Sequence, residues 1–260
     1  MSSLAGRRVL VTRALNQAGK LSDGLRALGA EPVEVPVLEI RPPIDFAPLD
    51  AALKQIDSYD WLILTSANAV RAVALRAVEL GIALEQSARL KVAAVGETTA
   101  DAVRKAGLQV AFVPETYVAE SLVAGLLEGM HLQTLGVRVL LARAAVARDV
   151  IPDALREAGI AVDVAEAYRN VLPESAPELL LRAVAGRIDA VTFTSSSSAT
   201  HLAEAARLAG VVWPFTGVPA VSIGPITSET LIDLGWPPVA EANPSDIPGL
   251  IAAVEQVFRA

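Results

Sequence analysis

"VLVTRALNQAGKLSDGLRALGA", Val9 to Ala30, is echoed by "VLLARAAVARDVIPDALREAGI", Val139 to Ile160. Superimposing the two pairs Arg13 with Arg143, Leu25 with Leu155 and Gly29 with Gly159 at an offset of 130. Each stretch reads as a strand followed by a helix. A short apolar run comes first, then leucines at helical spacing (Leu21, Leu25, Leu28), then a glycine suited to the left-handed residue that closes a helix. Two more blocks keep the order. "DWLILTSANAV" from Asp60 pairs with "DAVTFTSSSSA" from Asp189 at 129, and "KVAAVGETTADAVRKAG" from Lys91 with "PAVSIGPITSETLIDLG" from Pro219 at 128. Three blocks in one order at nearly constant spacing predict a duplicated unit.

Strand-like runs in the first copy fall at Val9–Thr12, Val33–Ile40, Trp61–Thr65, Val92–Val95 and Val110–Val113. In the second they fall at Val137–Leu141, Val162–Tyr168, Ala190–Thr194, Ala220–Ile223 and Val239–Glu241. Such runs, mostly short and β-branched, suit parallel strands buried on both faces. Alternation with helices predicts an α/β protein of two flavodoxin-like domains, each a doubly wound parallel sheet. "VEVPVLEIRPPI" (Val33–Ile44) and "VDVAEAYRNVLP" (Val162–Pro173) are longer than a buried strand and end in proline. They read either as a pair of linkers between lobes or as strands followed by ordinary loops.

Composition narrows the chemistry. The chain has no cysteine, which excludes thiolate metal sites and a cysteine nucleophile. Its only histidines, His131 and His201, are far apart, so no metal is expected. His201 reads as a solvent-exposed side chain. A net charge of −7 argues against nucleic acid as a partner. No apolar run reaches the roughly 20 residues that span a bilayer, and the start lacks a signal-peptide pattern, so a cytoplasmic protein with no membrane partner is expected. Phosphate-loop, dinucleotide, zinc-protease and serine-hydrolase motifs are absent, and no cofactor is predicted.

Ligands of open parallel sheets sit beyond the carboxyl ends of the strands, where helices begin. "TSANAV" (Thr65, Ser66, Asn68), "VGETTA" (Gly96, Thr98, Thr99), "TSSSSAT" (Ser195, Ser196, Ser197, Ser198) and "IGPITSE" (Gly224, Thr227) all fall there. Small residues at helix starts let an anion approach unpaired N–H groups. The same residues are also the preferred N-caps of any helix and need no ligand to explain them. Arg13 and Arg143 follow the first strand of each copy, with Arg148 added in the second, and read either as carboxylate partners or as members of internal ion pairs. Tyr168, on the long extended segment, also reads as a packed ring with its hydroxyl at the surface.

The ordered blocks "VLVTR", "LILTSANAV", "VAAVGETTADAVRKAG", "VAESLVAGL", "LREAG", "EAYRN", "VTFTSSSSAT", "AVSIGPITSETLIDLG" and "SDIPGLIAAV" resemble the uroporphyrinogen-III synthase family over essentially the whole chain. The resemblance implies two flavodoxin-like domains joined by a two-stranded linker. The first would combine residues 1–38 with 169–260, and the second would be 39–168. It also implies a monomer acting on hydroxymethylbilane, a linear tetrapyrrole with eight carboxylates, and closing it with inversion of ring D and loss of water. The helix-start residues and Arg13, Arg143 and Arg148 would then bind carboxylates, and Tyr168 matches the family's tyrosine, a general acid for departure of hydroxide. A two-lobed module that only binds a polyanion would use the same residues.

Overall fold

A computed structural model describes residues 3–14, 18–87, 89–128 and 136–259; His131 lies outside them. Among these the strands are β1 (Arg8–Val11), β2 (Glu31–Glu34), β3 (Glu39–Arg41), β4 (Trp61–Leu64), β5 (Lys91–Ala94), β6 (Val110–Phe112), β7 (Arg138–Ala144), β8 (Ala161–Val171), β9 (Ala190–Phe193), β10 (Ala220–Ser222) and β11 (Ala240–Glu241). The α-helices are α1 (Gly19–Ala27), α2 (Ala47–Lys54), α3 (Ala67–Glu79), α4 (Glu97–Lys105), α5 (Ala119–Glu128), α6 (Val150–Glu157), α7 (Ala176–Val184), α8 (Ser196–Ala209), α9 (Pro225–Asp233) and α10 (Ile247–Arg259).

The chain divides into two compact units, Met1–Glu39 with Asn170–Ala260, and Ile40–Arg169. In the first, strands are ordered β2-β1-β9-β10-β11, with parallel pairing throughout. In the second the order is β8-β7-β4-β5-β6, again parallel, with β3 beside β8. Taking each unit's strands from the one that carries Arg13 or Arg143, the spatial order is 2-1-3-4-5 in both, the flavodoxin-like order.

Alternation along the central strands explains why both faces are covered. Val9 and Val11 point into a core with Leu21 and Leu25 of α1 and Leu250 and Val254 of α10. Leu10, Val191 and Phe193 face the opposite core, with Leu180 of α7, Leu202 of α8 and Trp236. In the second unit Leu62, Leu64 and Leu140 pack on Leu53, Val73 and Val103 of α2, α3 and α4. Trp61, Ile63 and Leu141 pack on Leu122 of α5 and Leu155 of α6. A strand apolar at every position is therefore a strand between two helical layers. Gly29, read as a helix stop, has φ 85°, a conformation open to glycine without steric penalty.

Two expectations are corrected. The run Val33–Ile40 is broken, since β2 ends at Glu34 and β3 begins at Glu39. Pro36 between them has no N–H to give a ladder, although Val35 still donates to Val11 O at 3.0 Å and stays buried. His201 is half-buried rather than exposed, and its Nδ1 lies 2.9 Å from the Val37 carbonyl, which only a protonated Nδ1 can satisfy.

The aspartates that begin the second pair of repeat blocks do one job in both units. Asp189 gives its N–H to Arg8 O at 2.8 Å, and its Oδ2 accepts the Arg8 N–H at 2.9 Å, so one residue closes the amino end of the β1–β9 pair. Asp60 does the same with Arg138 at 2.9 and 3.0 Å, at the amino ends of β4 and β7. Burial alone would raise the Asp189 carboxyl, but the Arg8 N–H and the guanidiniums of Arg7 and Arg187 outweigh it and hold it below the usual carboxylate range. A carboxylate depressed in the folded state contributes stability above its unfolded pKa near 4, and that contribution is lost as the pH falls through the folded value. Asp189→Asn should thus lower unfolding stability by about 1.5–3 kcal/mol at pH 7, with the gap to the parent chain narrowing by pH 3. Urea denaturation at the two pH values checks this, and an equal gap at both would refute it.

Candidate active site

In the second unit the strands β8, β7, β4 and β5 are neighbours, and their carboxyl ends carry Tyr168, Arg143, Thr65 with Ser66, and Gly96 in that order. Residues drawn from across more than a hundred positions of sequence thus share one rim. In the first unit β1, β9 and β10 do the same for Arg13, Ser195 and Gly224.

Tyr168 owes its direction to an irregularity in the sheet. The β7–β8 register pairs Ala142 with Ala165 and Arg143 with Glu166, then jumps to Ala144 with Tyr168. One extra residue on β8 is a β-bulge, which re-aims the side chains that follow. Simple alternation would send Tyr168 to the face of exposed Glu166. Instead Ala165, Ala167 and Tyr168 all join the core beneath α3. Tyr168 is only 6% exposed, and its hydroxyl lies 3.1 Å from Ser66 Oγ, so the surface-hydroxyl reading is set aside. Ser66 in turn caps α3, its Oγ accepting the Ala69 N–H at 3.1 Å.

The helix starts separate into residues that offer donors and residues that do not. Helix geometry leaves the first-turn N–H groups without intrahelical acceptors. Beyond the caps Ser66, Gly96 and Ser195 these belong to Ala67 and Asn68, Glu97 and Thr98, and Ser196 and Ser197. At α9 the first residue is Pro225, which has no N–H, so Ile226 is left to serve after Gly224. Thr99, Ser198 and Thr227, read from the sequence either as helix caps or as ligands, face inward. All three are buried, and their N–H groups return to the carbonyls of Gly96, Ser195 and Gly224 at 3.0, 3.1 and 3.1 Å. They close the turns from within.

The four serines therefore have different work. Ser195 and Ser198 form a reciprocal capping box, with Ser198 N–H on Ser195 Oγ at 3.1 Å and Ser195 N–H on Ser198 Oγ at 3.2 Å. Ser196 accepts from Thr230 Oγ1 at 2.7 Å, which ties the start of α8 to α9. Ser197 stands on the rim with its side chain half-buried. On the other unit, Thr65 is half-buried, Thr98 is exposed, and the Asn68 Oδ1 accepts from Arg71 one turn on.

The arginines are largely committed to the protein. Arg143, with a side chain 13% exposed, donates to the Arg148 carbonyl at 2.8 Å and pairs with Asp149. It thereby folds the loop after β7 back on itself. Arg148 pairs with Glu120 of α5 at 2.9 Å, an exposed pair. Arg13 is half-buried, and burial lowers its pKa from the usual arginine range. No cluster of three or more His, Asp or Glu with metal-binding spacing occurs among the described residues. Nor is any helix there long and apolar enough to cross a membrane.

Parallel sheets wound on both sides by helices, with polar residues gathered at the carboxyl rims, define an α/β protein of the class that binds small molecules at strand ends. The chain belongs to the uroporphyrinogen-III synthase family: residues 19–252 match the HEM4 family, described as uroporphyrinogen-III synthase HemD. It is 36% identical to the uroporphyrinogen-III synthase of Synechococcus elongatus, over 98% of this chain and 97% of that protein. It is 33% identical to the porphyrin biosynthesis protein HemD of Ruminiclostridium josui, over 87% of this chain and 44% of that longer protein. The fold is similar to that of a mutant uroporphyrinogen III synthase from Thermus thermophilus, with a TM-score of 0.69, 22% identity and coverage of 98% and 99% of the two chains.

Sequence reasoning passed over Tyr117 and Ser245, which lie against the cap glycines Gly96 and Gly224. The signal was present, since each follows its glycine by the same interval in the two repeats.

The capping assignments predict a contrast between adjacent serines. Ser195→Ala should cost about 1 kcal/mol of stability, whereas Ser197→Ala should stay within about 0.5 kcal/mol. Thermal unfolding of the two variants measures it, and equal losses would remove the distinction between cap and rim.

Proposed function

We propose that this chain converts hydroxymethylbilane into uroporphyrinogen III, and that it does so chiefly by holding the bilane in one conformation. Family membership supports the reaction, and the observation that carries the reading of the site is Tyr168 turned by the bulge onto Ser66. The first-turn N–H groups of α3 and α4 are the donors for the substrate's carboxylate arms. A hydrogen bond to a charged group contributes about 1.5–3 kcal/mol net and a helix N-terminus about 0.3–1. Three or four such contacts reach the roughly 8 kcal/mol of micromolar binding, with no basic channel.

The chemistry begins with loss of the ring A hydroxyl as water, leaving an azafulvene cation. The substituted carbon of ring D attacks that cation, giving a spiro intermediate that fragments and recloses with ring D inverted. The free bilane also closes, without inversion, so the protein's main task is orientation. Tyr168 is the one side chain assigned a proton. Either hydroxyl can donate in the Ser66–Tyr168 contact, and when Ser66 gives its hydrogen to the Tyr168 oxygen the phenolic hydrogen is left for the departing hydroxide. Arg13, Arg143 and Arg148 are secondary, two of them being held in internal pairs. The protein works as a soluble cytoplasmic monomer without a cofactor.

Incubation with hydroxymethylbilane and chromatographic separation of the isomers tests the assignment: the chain should yield isomer III, while isomer I alone would reduce it to a binding protein. Tyr168→Phe should lower kcat by less than about a thousandfold. A larger loss would make proton transfer, not orientation, the main source of catalysis.

A further inference from the structure

Tyr117 has no part in the site described above, yet its setting is unusual for a tyrosine. It stands between β6 and α5 at the apex of a three-residue turn closed by the Val118 N–H on Thr116 O at 2.8 Å. The turn lays the side chain across the start of α4. A Cβ on Gly96 would stand 3.1 Å from both Cβ and Cγ of Tyr117 and 3.6 Å from Cδ1, so the absent side chain of that glycine is what seats the ring. The first unit contains the same device. Asp246 N–H closes a turn on Pro244 O at 2.8 Å, and a Cβ on Gly224 would lie 2.9 Å from Oγ of the apex residue, Ser245. The turn is thus common to both units and the aromatic ring belongs to one.

Although held from below, Tyr117 remains 59% exposed. A ring that served only to fill the core would be buried, as Phe193 and Trp236 are. A ring fixed on one side and open on the other is a surface for stacking, and aromatic pairs prefer offset or edge contacts. The neighbouring first-turn donors are the N–H groups of Glu97 and Thr98, on the helix the ring overlies. A flat ring bearing short anionic arms matches that pair of features. Resting on the proposed function, the geometry points to Tyr117 as the stacking partner of one pyrrole ring of the substrate, with a carboxylate arm of the same ring on the start of α4.

Steady-state kinetics with hydroxymethylbilane on Tyr117→Ala and Tyr117→Phe, and titration of Tyr117→Trp fluorescence with uroporphyrin III, test this together. Tyr117→Ala should raise KM about three- to tenfold, with a smaller change in kcat. Tyr117→Phe should restore most of that loss, and uroporphyrin III should quench the added emission of Tyr117→Trp beyond the quenching seen in the parent chain. An unchanged KM in a Tyr117→Ala variant of parental melting temperature overturns the inference, as does a Phe variant as impaired as Ala, which would make the hydroxyl the working group. If the Ala variant melts early, the Phe comparison and the Trp quenching decide. Should the parent chain yield no isomer III while Tyr117→Trp is still quenched, the reaction assignment falls and the stacking site stands.

Discussion

In a parallel sheet covered by helices on both faces, the interior strands leave polar backbone free only at their ends. Every strand of the two central pairs, β1 with β9 and β4 with β7, is apolar on both sides and sealed between helical layers. Polar chemistry is thereby driven to the rims. The amino rim is closed by the carboxylates of Asp60 and Asp189, which satisfy the last backbone groups of the neighbouring strands. The carboxyl rim is left with helix starts, whose first N–H groups have no internal acceptor. Closed backbone and open N–H donors therefore lie at opposite ends of the same strands.

Within that carboxyl rim, capping and recognition compete for the same residue types. Ser195 and Ser198 spend their hydroxyls on each other, and Ser66 divides its oxygen between Ala69 and Tyr168. What remains for a ligand is mainly main-chain N–H. Such donors are uncharged and fixed in direction, which under the proposed function suits a polyanionic substrate that must be bound in one shape and then released. The arginines fit the same division. Arg143 shapes the loop after β7, which begins at Ala145, whose N–H goes to the Tyr168 carbonyl at 2.9 Å.

Much of this was legible in the chain as written. Blocks repeated at nearly constant spacing, glycines after leucine periods and small polar residues at strand ends were enough to place the strands, the helices and the rim residues, because each depends on local periodicity or local capping. Two features were not read from the sequence, one a matter of helix phase and the other of a distant contact. Thr99, Ser198 and Thr227 looked like their neighbours Thr98 and Ser197, and only the turn of the helix put their side chains inside. His201 looked exposed because its partner, the Val37 carbonyl, is far away in sequence.

Residue types and their order thus determined the α/β class, the strand and helix sites and the family resemblance. Tertiary structure alone decided the order of strands within each sheet, since β1 lies beside β9 and β7 beside β4 although neither pair is adjacent in the chain. It also decided where Tyr168 points. A bulge is a property of two strands in register, and no single strand's sequence carries the count of residues on its partner.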